Sequence, residues 1–281
     1  MSVRLLEELP ERLVVPRADQ VPLPGIKLSV IVPAYREARH IHENLGKLLH
    51  ELDRLGRPYE VIVVSDGNTD ETAREAERVV SPHIKVIEYN RNMGKGYALR
   101  CGVAHSSGDL VTFIDADMEL DPRYIKGFIA LMESFDCDAV VGSKRHPMSN
   151  VHYPPARRFQ SLMYQLLVRT LFRIKVRDTQ TGLKLFRRQV LEQVVPLLAI
   201  KRFAFDLELL VVARQLGYTK VMEAPVDLDY KFESTADLKA TWHVLWDTAA
   251  IFYRLRVLRY YAHQRVLISR EELPAEAAAA E

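Results

Sequence analysis

The chain has 281 residues, of which 48% are hydrophobic, with 39 lysines and arginines against 37 aspartates and glutamates. The small net charge of +2 argues against a general nucleic-acid binder, because such proteins are usually strongly basic. Two cysteines are too few for a disulfide framework, and no stretch reaches the roughly 18 consecutive apolar residues that span a bilayer.

Hydrophobic patterning predicts strands that alternate with helices through the first half of the chain. The predicted strands cover residues 28–33, 59–64, 84–88, 109–114 and 139–142, and the predicted helices cover 44–55, 71–80, 96–104 and 122–135. Such alternation is typical of βαβ units, so we expect an α/β fold with a mostly parallel central sheet and helices on both faces.

The second half has a different pattern. It predicts a helix over 156–174, a loop over 175–181, a strand over 182–186, helices over 189–195 and 206–216, a strand over 219–224 and a final amphipathic helix over about 237–266. Residues 1–26 are expected to form a loosely ordered arm and residues 269–281 a disordered, alanine-rich tail. The arm carries acidic residues and prolines and lacks the apolar core of a signal peptide.

The fourth predicted strand runs directly into three closely spaced carboxylates, Asp115, Asp117 and Glu119. Open α/β sheets bind ligands at the carboxyl ends of their strands. Carboxylates so close repel each other unless a cation lies between them, and Mg²⁺ or Mn²⁺ prefers oxygen ligands. The pattern therefore indicates a metal that grips a diphosphate, or else a strand end with a solvated aspartate pair.

Two familiar phosphate-binding motifs are missing. The segment that begins Gly94-Lys95-Gly96 has Leu99 where a dinucleotide fingerprint has its third glycine, and the sequence contains no GxxxxGK[ST] motif. A dehydrogenase and a P-loop enzyme are therefore both disfavoured.

Four other motifs occur in order, each at a strand end: residues 32–37 (VPAYRE), 65–70 (SDGNTD), 92–96 (NMGKG) and 115–117 (DAD). Together they resemble the family 2 inverting glycosyltransferases, which have a GT-A fold, over about residues 27–230. Residues 142–145 and 178–186 resemble the polyprenol-phosphate sugar synthases. The sequences of residues 94–96 and 179–186 are closer to the dolichyl-phosphate glucosyltransferases than to the mannose synthases. Ser65 and Asn68 depart from the usual family pattern. The resemblance implies a GT-A domain, which we place at residues 27–235, and helical spacing places the amphipathic helix in the C-terminal segment 236–268.

The resemblance also implies roles for residues of the donor site. Asp66 would accept hydrogen bonds from the base, although it could instead be a turn residue, and Lys95 would approach the diphosphate. Asp117 would ligate Mg²⁺ or Mn²⁺. Asp206 resembles a helix-start acid often assigned as the base, or is an N-terminal helix residue that the macrodipole favours. The other implied donor-site residues are Pro33, Tyr35, Glu37, Asp115 and Ala116, with Asp115 in contact with the ribose or the metal. Glu119 is a candidate third metal ligand, or else a solvated residue in the turn before Asp121.

The resemblance implies a polyprenyl phosphate as the acceptor of the sugar. Its oxygen is already anionic, so the site needs positive charge to hold the phosphate in place more than it needs a general base. Ser143, Lys144 and Arg145 follow a strand end and suit a phosphate clamp, unless they form a solvated basic loop. Lys231 is a further candidate, and Gln180 and Thr181 are expected to face the sugar.

The helix over 156–174 and the final helix both combine apolar residues at helical spacing with arginines, and the final helix adds Trp242, Trp246 and Tyr253. Such faces suit an anionic membrane surface, and otherwise would pack on the sheet or on a second copy of the chain.

We therefore expect a cytoplasmic, peripheral enzyme that transfers glucose from UDP-glucose to a polyprenyl phosphate. The alternatives are GDP-mannose as donor, a soluble acceptor, or a non-catalytic nucleotide-sugar binder.

Overall fold

The computed structural model describes residues 28–150, 155–200, 204–228 and 238–264, with backbone only for residues 155–160 and 238–243. The predicted arm (1–26) and tail (269–281) lie outside the described residues. Among the described helices, none combines the length and apolarity that crossing a bilayer requires.

Within the described residues, seven strands form one sheet. They are β1 (Leu28–Ala34), β2 (Tyr59–Asp66), β3 (Ile84–Tyr89), β4 (Leu110–Phe113), β5 (Ala139–Ser143), β6 (Lys184–Arg187) and β7 (Val221–Pro225). Their spatial order is β3-β2-β1-β4-β6-β5-β7. Neighbours run parallel except around β6, which is antiparallel to both β4 and β5. The predicted α/β class and mostly parallel sheet are confirmed.

The helices are α1 (Ile41–Asp53), α2 (Thr72–Glu77), α3 (Lys95–His105), α4 (Tyr124–Phe135), α5 (Pro155–Phe172), α6 (Arg188–Val194), α7 (Phe205–Gln215) and α8 (Leu238–Arg256). Most lie within a few residues of their predicted positions. The final helix is an exception, because the predicted continuous helix is interrupted. Helix α8 ends at Arg256, and Arg259 has a left-handed φ of 48° before helical backbone resumes at Tyr260.

The sheet is buried on both faces, which explains the continuous apolar runs of its central strands. In β1, Val30 and Val32 belong to a core cluster with residues of α1 and α4, whereas Ile31 belongs to a cluster on the other face with residues of α3 and α7. Successive side chains of a strand point to opposite faces, so one strand supplies both cores.

Helix α3 lies very close to β1. A Cβ added to Gly102 would overlap the side chain of Ile31, so glycine is the residue that permits this approach. The contact fixes α3, whose first residue is Lys95, against the strand that ends at Ala34.

We expect Gly102→Ala to lower the free energy of unfolding by roughly 1–3 kcal/mol, because the added methyl overpacks the contact with Ile31. Gly127→Ala is the matched control, since Gly127 lies in α4 with nothing within 4 Å of an added Cβ. That change should stabilise the protein by about 0.5–1 kcal/mol through helix propensity. Urea unfolding measures both variants, and equal effects would contradict the close packing.

Candidate functional site

The carboxyl ends of β1, β2 and β4 open onto a cleft of about 570 Å³. The chain passes from β1 outward to β2 and β3 and then returns to β4 on the other side of β1, so the cleft lies at the topological switch point of the sheet. Its described lining residues are Pro33, Ala34, Tyr35, Glu37, Asp66, Asn92, Gly94, Lys95, Asp115, Ala116 and Asp117. The structure therefore brings the predicted donor-site residues together.

The segment after β1 forms one wall of the cleft. Tyr35 is 40% exposed, and the Arg36 guanidinium lies 5.1 Å from the centre of its ring. Arg36 has a left-handed φ of 60°, which turns the chain so that the Glu37 amide donates to the Thr72 hydroxyl at 2.9 Å. Burial, followed by the charge of Asp117, raises the pKa of Glu37.

Asp66 ends β2 and is almost completely buried. Its Oδ1 accepts hydrogen bonds from the Tyr89 hydroxyl and the Met93 amide, both at 2.7 Å, and its Oδ2 accepts one from the Gly94 amide at 2.9 Å. A carboxylate has about four acceptor positions, so one of them is left for a ligand. Asp66 thus positions the loop before α3, a role that the sequence reading did not include.

Asp115, Ala116 and Asp117 follow β4. The Asn44 side chain in α1 donates to the Ala116 carbonyl at 2.9 Å, which fixes the backbone between the two aspartates. The Glu119 amide donates to Asp117 Oδ1 at 3.1 Å, and Met118 between them has a φ of 51°. Left-handed backbone at a bulky residue is strained, and such strain is concentrated at functional sites.

Lys95 is the cation of the cleft. Its Nζ lies 2.5 Å from Asp115 Oδ1 and 4.0 Å from Asp206 Oδ2. Burial lowers the pKa of Lys95, but the charges of Asp115 and Asp206 outweigh the effect of burial, so the pKa is raised above its usual value. The lysine therefore stays protonated.

The donor set of the cleft fits a hard divalent cation. Among the described lining residues, Glu37, Asp66, Asp115 and Asp117 carry carboxylates against the single ammonium of Lys95. Burial, together with neighbouring carboxylates, raises the pKa of Asp117, so added positive charge would stabilise its ionised form. Mg²⁺ is often bound through one or two carboxylates plus substrate phosphates.

Glu119 lies apart from Asp115 and Asp117. It is 59% exposed, and its Oε2 is 3.8 Å from Lys144 Nζ. Within the described ranges, no group of three or more His, Cys, Asp or Glu side chains is arranged to hold a metal. Asp115 and Asp117, by contrast, both line the cleft.

Asp206 and Lys184 lie in the interior behind Lys95. Asp206 is the second residue of α7, and its Oδ1 lies 2.6 Å from the Nζ of Lys184, a lysine with 0% exposure in β6. Gly182 precedes β6 and faces Asp115 so closely that a Cβ would overlap its Oδ2. The sequence motifs did not predict a role for Lys184, although a lysine between apolar residues of a short strand could have indicated one.

The predicted acceptor residues divide into two groups. The Lys144 amide donates to Asp178 at 3.2 Å, and its ammonium faces Glu119 at the rim of the cleft. The Arg145 guanidinium instead donates to Ser161 and Gln165 of α5. The expected three-residue clamp is therefore split, and Lys231 lies outside the described residues.

Three buried polar atoms near this group lack a hydrogen-bond partner within the described part of the chain: Ser143 Oγ, Gln180 Nε2 and Thr181 Oγ1. Thr181 packs beside Gly142, the residue before Ser143, so at least these two orphaned hydroxyls belong to one region. Buried polar atoms without partners suggest a place that a polar ligand or water completes.

Solved structures with the same fold include two sugar-phosphoglycerate synthases. The mannosyl-3-phosphoglycerate synthase of Rubrobacter xylanophilus matches with a TM-score of 0.66 and 18% identity, covering 82% of this chain and 75% of that one. The glucosyl-3-phosphoglycerate synthase of Mycobacterium tuberculosis, in complex with Mn²⁺, UDP and phosphoglyceric acid, matches with a TM-score of 0.63 and 20% identity, covering 82% and 78%. The fold is the predicted GT-A glycosyltransferase fold.

The sequence model described as Glycosyl transferase family 2 matches residues 29–195, which is more than half of the chain. The chain belongs to this family, as the motifs indicated. A dolichyl-phosphate beta-glucosyltransferase of Drosophila melanogaster is 36% identical over 211 residues, covering 69% of this chain and 64% of that protein. The glycosyltransferase AglD of Haloferax volcanii is 32% identical over 218 residues, covering 76% of this chain but only 35% of that protein.

We expect Asp66→Ala to destabilise the loop before α3, because three donors lose their acceptor at a cost of about 1–3 kcal/mol each. Hydrogen exchange at the Met93 and Gly94 amides should accelerate. Tyr89→Phe is the control, since it removes one donor and leaves both amides bonded to Asp66. Unchanged exchange in Asp66→Ala would contradict the anchoring role.

Proposed function

We propose that this chain is an inverting glycosyltransferase that transfers glucose from UDP-glucose to a polyprenyl phosphate of the dolichyl type. The observation that carries the proposal is the convergence of Asp66, Lys95, Asp115 and Asp117 in one cleft at the switch point of a GT-A sheet. The names of several relatives, which are dolichyl-phosphate beta-glucosyltransferases, support the choice of sugar and acceptor.

The nucleotide would lie across the ends of β1 and β2. The remaining acceptor position of Asp66 suits an N–H on the base edge, and the exposed Tyr35 ring offers a stacking surface. Pro33, Glu37 and Ala116 complete this part of the lining. Lys95 would exchange its contact with Asp115 for one with the donor diphosphate.

Asp115 and Asp117 would hold Mg²⁺ or Mn²⁺, with Glu119 as a further ligand if it leaves Lys144. Such an ion supplies Lewis-acid neutralisation of the departing nucleoside diphosphate. The presence of Mn²⁺ with UDP in the Mycobacterium tuberculosis synthase supports a divalent ion in this fold.

The acceptor phosphate would bind near Lys144, with Ser143, Arg145 and Lys231 as further candidates. Its oxygen is anionic near neutral pH, so it can attack without a strong base. The orphaned atoms of Ser143, Gln180 and Thr181 would then be satisfied by phosphate or sugar oxygens. Asp206, paired with Lys184, need not take a proton in this reaction.

A soluble hydroxyl acceptor is the second candidate. It would need a general base, and Asp206, which lies 4.0 Å from Lys95 of the cleft, is the candidate for that role. GDP-mannose is the alternative donor, since the described contacts do not distinguish the two sugars. A binder without catalysis is disfavoured, because Lys95, Asp115 and Asp117 are all present in the cleft.

A transfer assay with Mn²⁺, polyprenyl phosphate and either UDP-glucose or GDP-mannose should yield a lipid-linked sugar with UDP-glucose. Asp117→Ala should reduce the rate by about a thousandfold or more, because charge neutralisation by the metal contributes several kcal/mol. Glu133→Ala, which removes an exposed carboxylate of α4 outside the cleft, should leave the rate unchanged.

If only GDP-mannose yields a lipid-linked sugar, the donor is GDP-mannose and not UDP-glucose. Nucleotide release without a lipid product would indicate a soluble acceptor. Full activity in Asp117→Ala would contradict the metal assignment.

The proposed acceptor requires contact with a lipid surface, and α5 and α8 form a suitable face. The Tyr164 and Thr248 hydroxyls lie 3.1 Å apart, and the Phe172 and Phe252 rings are 6.3 Å apart, so the two helices are adjacent. Large exposed apolar residues lie on and just beyond them: Leu162, Met163, Leu166, Leu167, Trp246, Tyr253, Val257 and Leu258. Exposed basic residues accompany them, namely Arg169, Arg173, Lys175, Arg256 and Arg259. This combination suits an anionic membrane surface.

Vesicles that contain anionic phosphatidylglycerol should co-sediment the protein at low salt. The double variant Leu166→Ser/Trp246→Ser should bind at least about a hundredfold more weakly, because burial of each apolar side chain contributes roughly 1.5–3 kcal/mol. Val80→Ser is the control, since Val80 is 90% exposed and lies just after α2, outside this face. Unchanged vesicle binding in the double variant, with loss of a dimer in solution, would assign the face to a second copy instead.

A further inference from the structure

Lys184 is a fully buried lysine with two polar partners. Its Nζ lies 2.6 Å from Asp206 Oδ1 and also donates to the Thr181 carbonyl. An ammonium is strongly disfavoured in a protein interior unless it is paired and hydrogen-bonded. A buried methionine or leucine would fill the same position in β6 without that penalty. The charge of Lys184 therefore calls for an explanation beyond packing.

The partner of Lys184 is shared with the cleft. Asp206 Oδ2 lies 4.0 Å from Lys95 Nζ, and Lys95 Nζ lies 2.5 Å from Asp115 Oδ1. A row of four charges of alternating sign thus extends from the cleft into the interior, in the order Asp115, Lys95, Asp206 and Lys184. The positive charge of Lys184 offsets the negative charge of Asp206 and so weakens the net attraction between Asp206 and Lys95.

Lys184 also constrains the segment that borders the metal-binding pair. Its bond to the Thr181 carbonyl fixes the residue before Gly182, and Gly182 lies against Asp115 without room for a Cβ. One side chain therefore acts on both Lys95, through Asp206, and Asp115, through Gly182.

We propose that Lys184 is a positioning residue of the donor site, an inference that rests on the proposed nucleotide-sugar function. By neutralising Asp206, it leaves Lys95 free to move from Asp115 to the donor diphosphate. Without Lys184, the unbalanced carboxylate of Asp206 competes with the diphosphate for Lys95, and nucleotide binding weakens.

The test compares Lys184→Met, Asp206→Asn and the double variant Lys184→Met/Asp206→Asn. Titration calorimetry with UDP and with GDP, each with Mn²⁺, measures nucleotide affinity without an acceptor, and thermal unfolding measures stability. We expect Lys184→Met to weaken UDP binding about tenfold. The double variant should recover to within about threefold of wild type, because the competing carboxylate is also removed.

Lys184→Gln is a second variant in case Lys184→Met does not fold, because an amide can still donate to the Thr181 carbonyl. It should bind UDP as weakly as Lys184→Met, since the charge is what matters. Gly127→Ala, at an exposed position of α4 outside the cleft, is the control and should bind like wild type.

Wild-type UDP affinity in Lys184→Met and Lys184→Gln would overturn the role of Lys184 alone. A double variant that binds no better than Lys184→Met would also overturn it, because lost packing is not restored by a second change. If the wild-type protein binds neither UDP nor GDP, the proposed donor site itself fails, and the positioning role fails with it.

Discussion

Compensation of negative charge around Asp115 is the constraint on which the cleft depends. Parallel strands bring their carboxyl ends to one edge, so aspartates that follow β2 and β4 meet there. Without positive charge these carboxylates would repel each other or take up protons. Lys95 supplies that charge, and its position follows from the close packing of α3 on β1.

The scaffold positions these charges through buried hydrogen bonds rather than through surface ion pairs, which contribute little. Asp66 and Asn44 each fix a backbone segment of the cleft from a neighbouring element. Helix α7 extends this network in the other direction. Two residues after Asp206, the buried Glu208 accepts from the Tyr261 hydroxyl at 2.6 Å and lies 3.9 Å from the Arg254 guanidinium. One helix therefore contacts both the cleft and the C-terminal segment that we assign to the membrane surface.

Much of the fold was predictable because its signals are local. Apolar runs of strand length alternate with helical spacing, and this alternation predicted the parallel strands, the flanking helices and the strand ends at Asp66 and Asp115. The helix interruption after Arg256 was not predictable, because apolar spacing continues across Val257 and Leu258 while the backbone turns at Arg259. Periodicity reports which residues share a face, and it does not report where a backbone breaks.

By itself, the sequence determined the α/β class, through the alternation of its apolar patterns, and the family, through short motifs at strand ends. It also predicted which residues meet in the cleft. Only the tertiary structure decided how charges far apart in the chain are paired. Antiparallel β6 lies between β4 and β5, which brings Lys184 to Asp206 and Gly182 to Asp115. Likewise, Lys144 and Arg145 are adjacent in sequence yet reach Glu119 and α5 respectively. Side-chain direction and long-range pairing depend on packing, which no local pattern encodes.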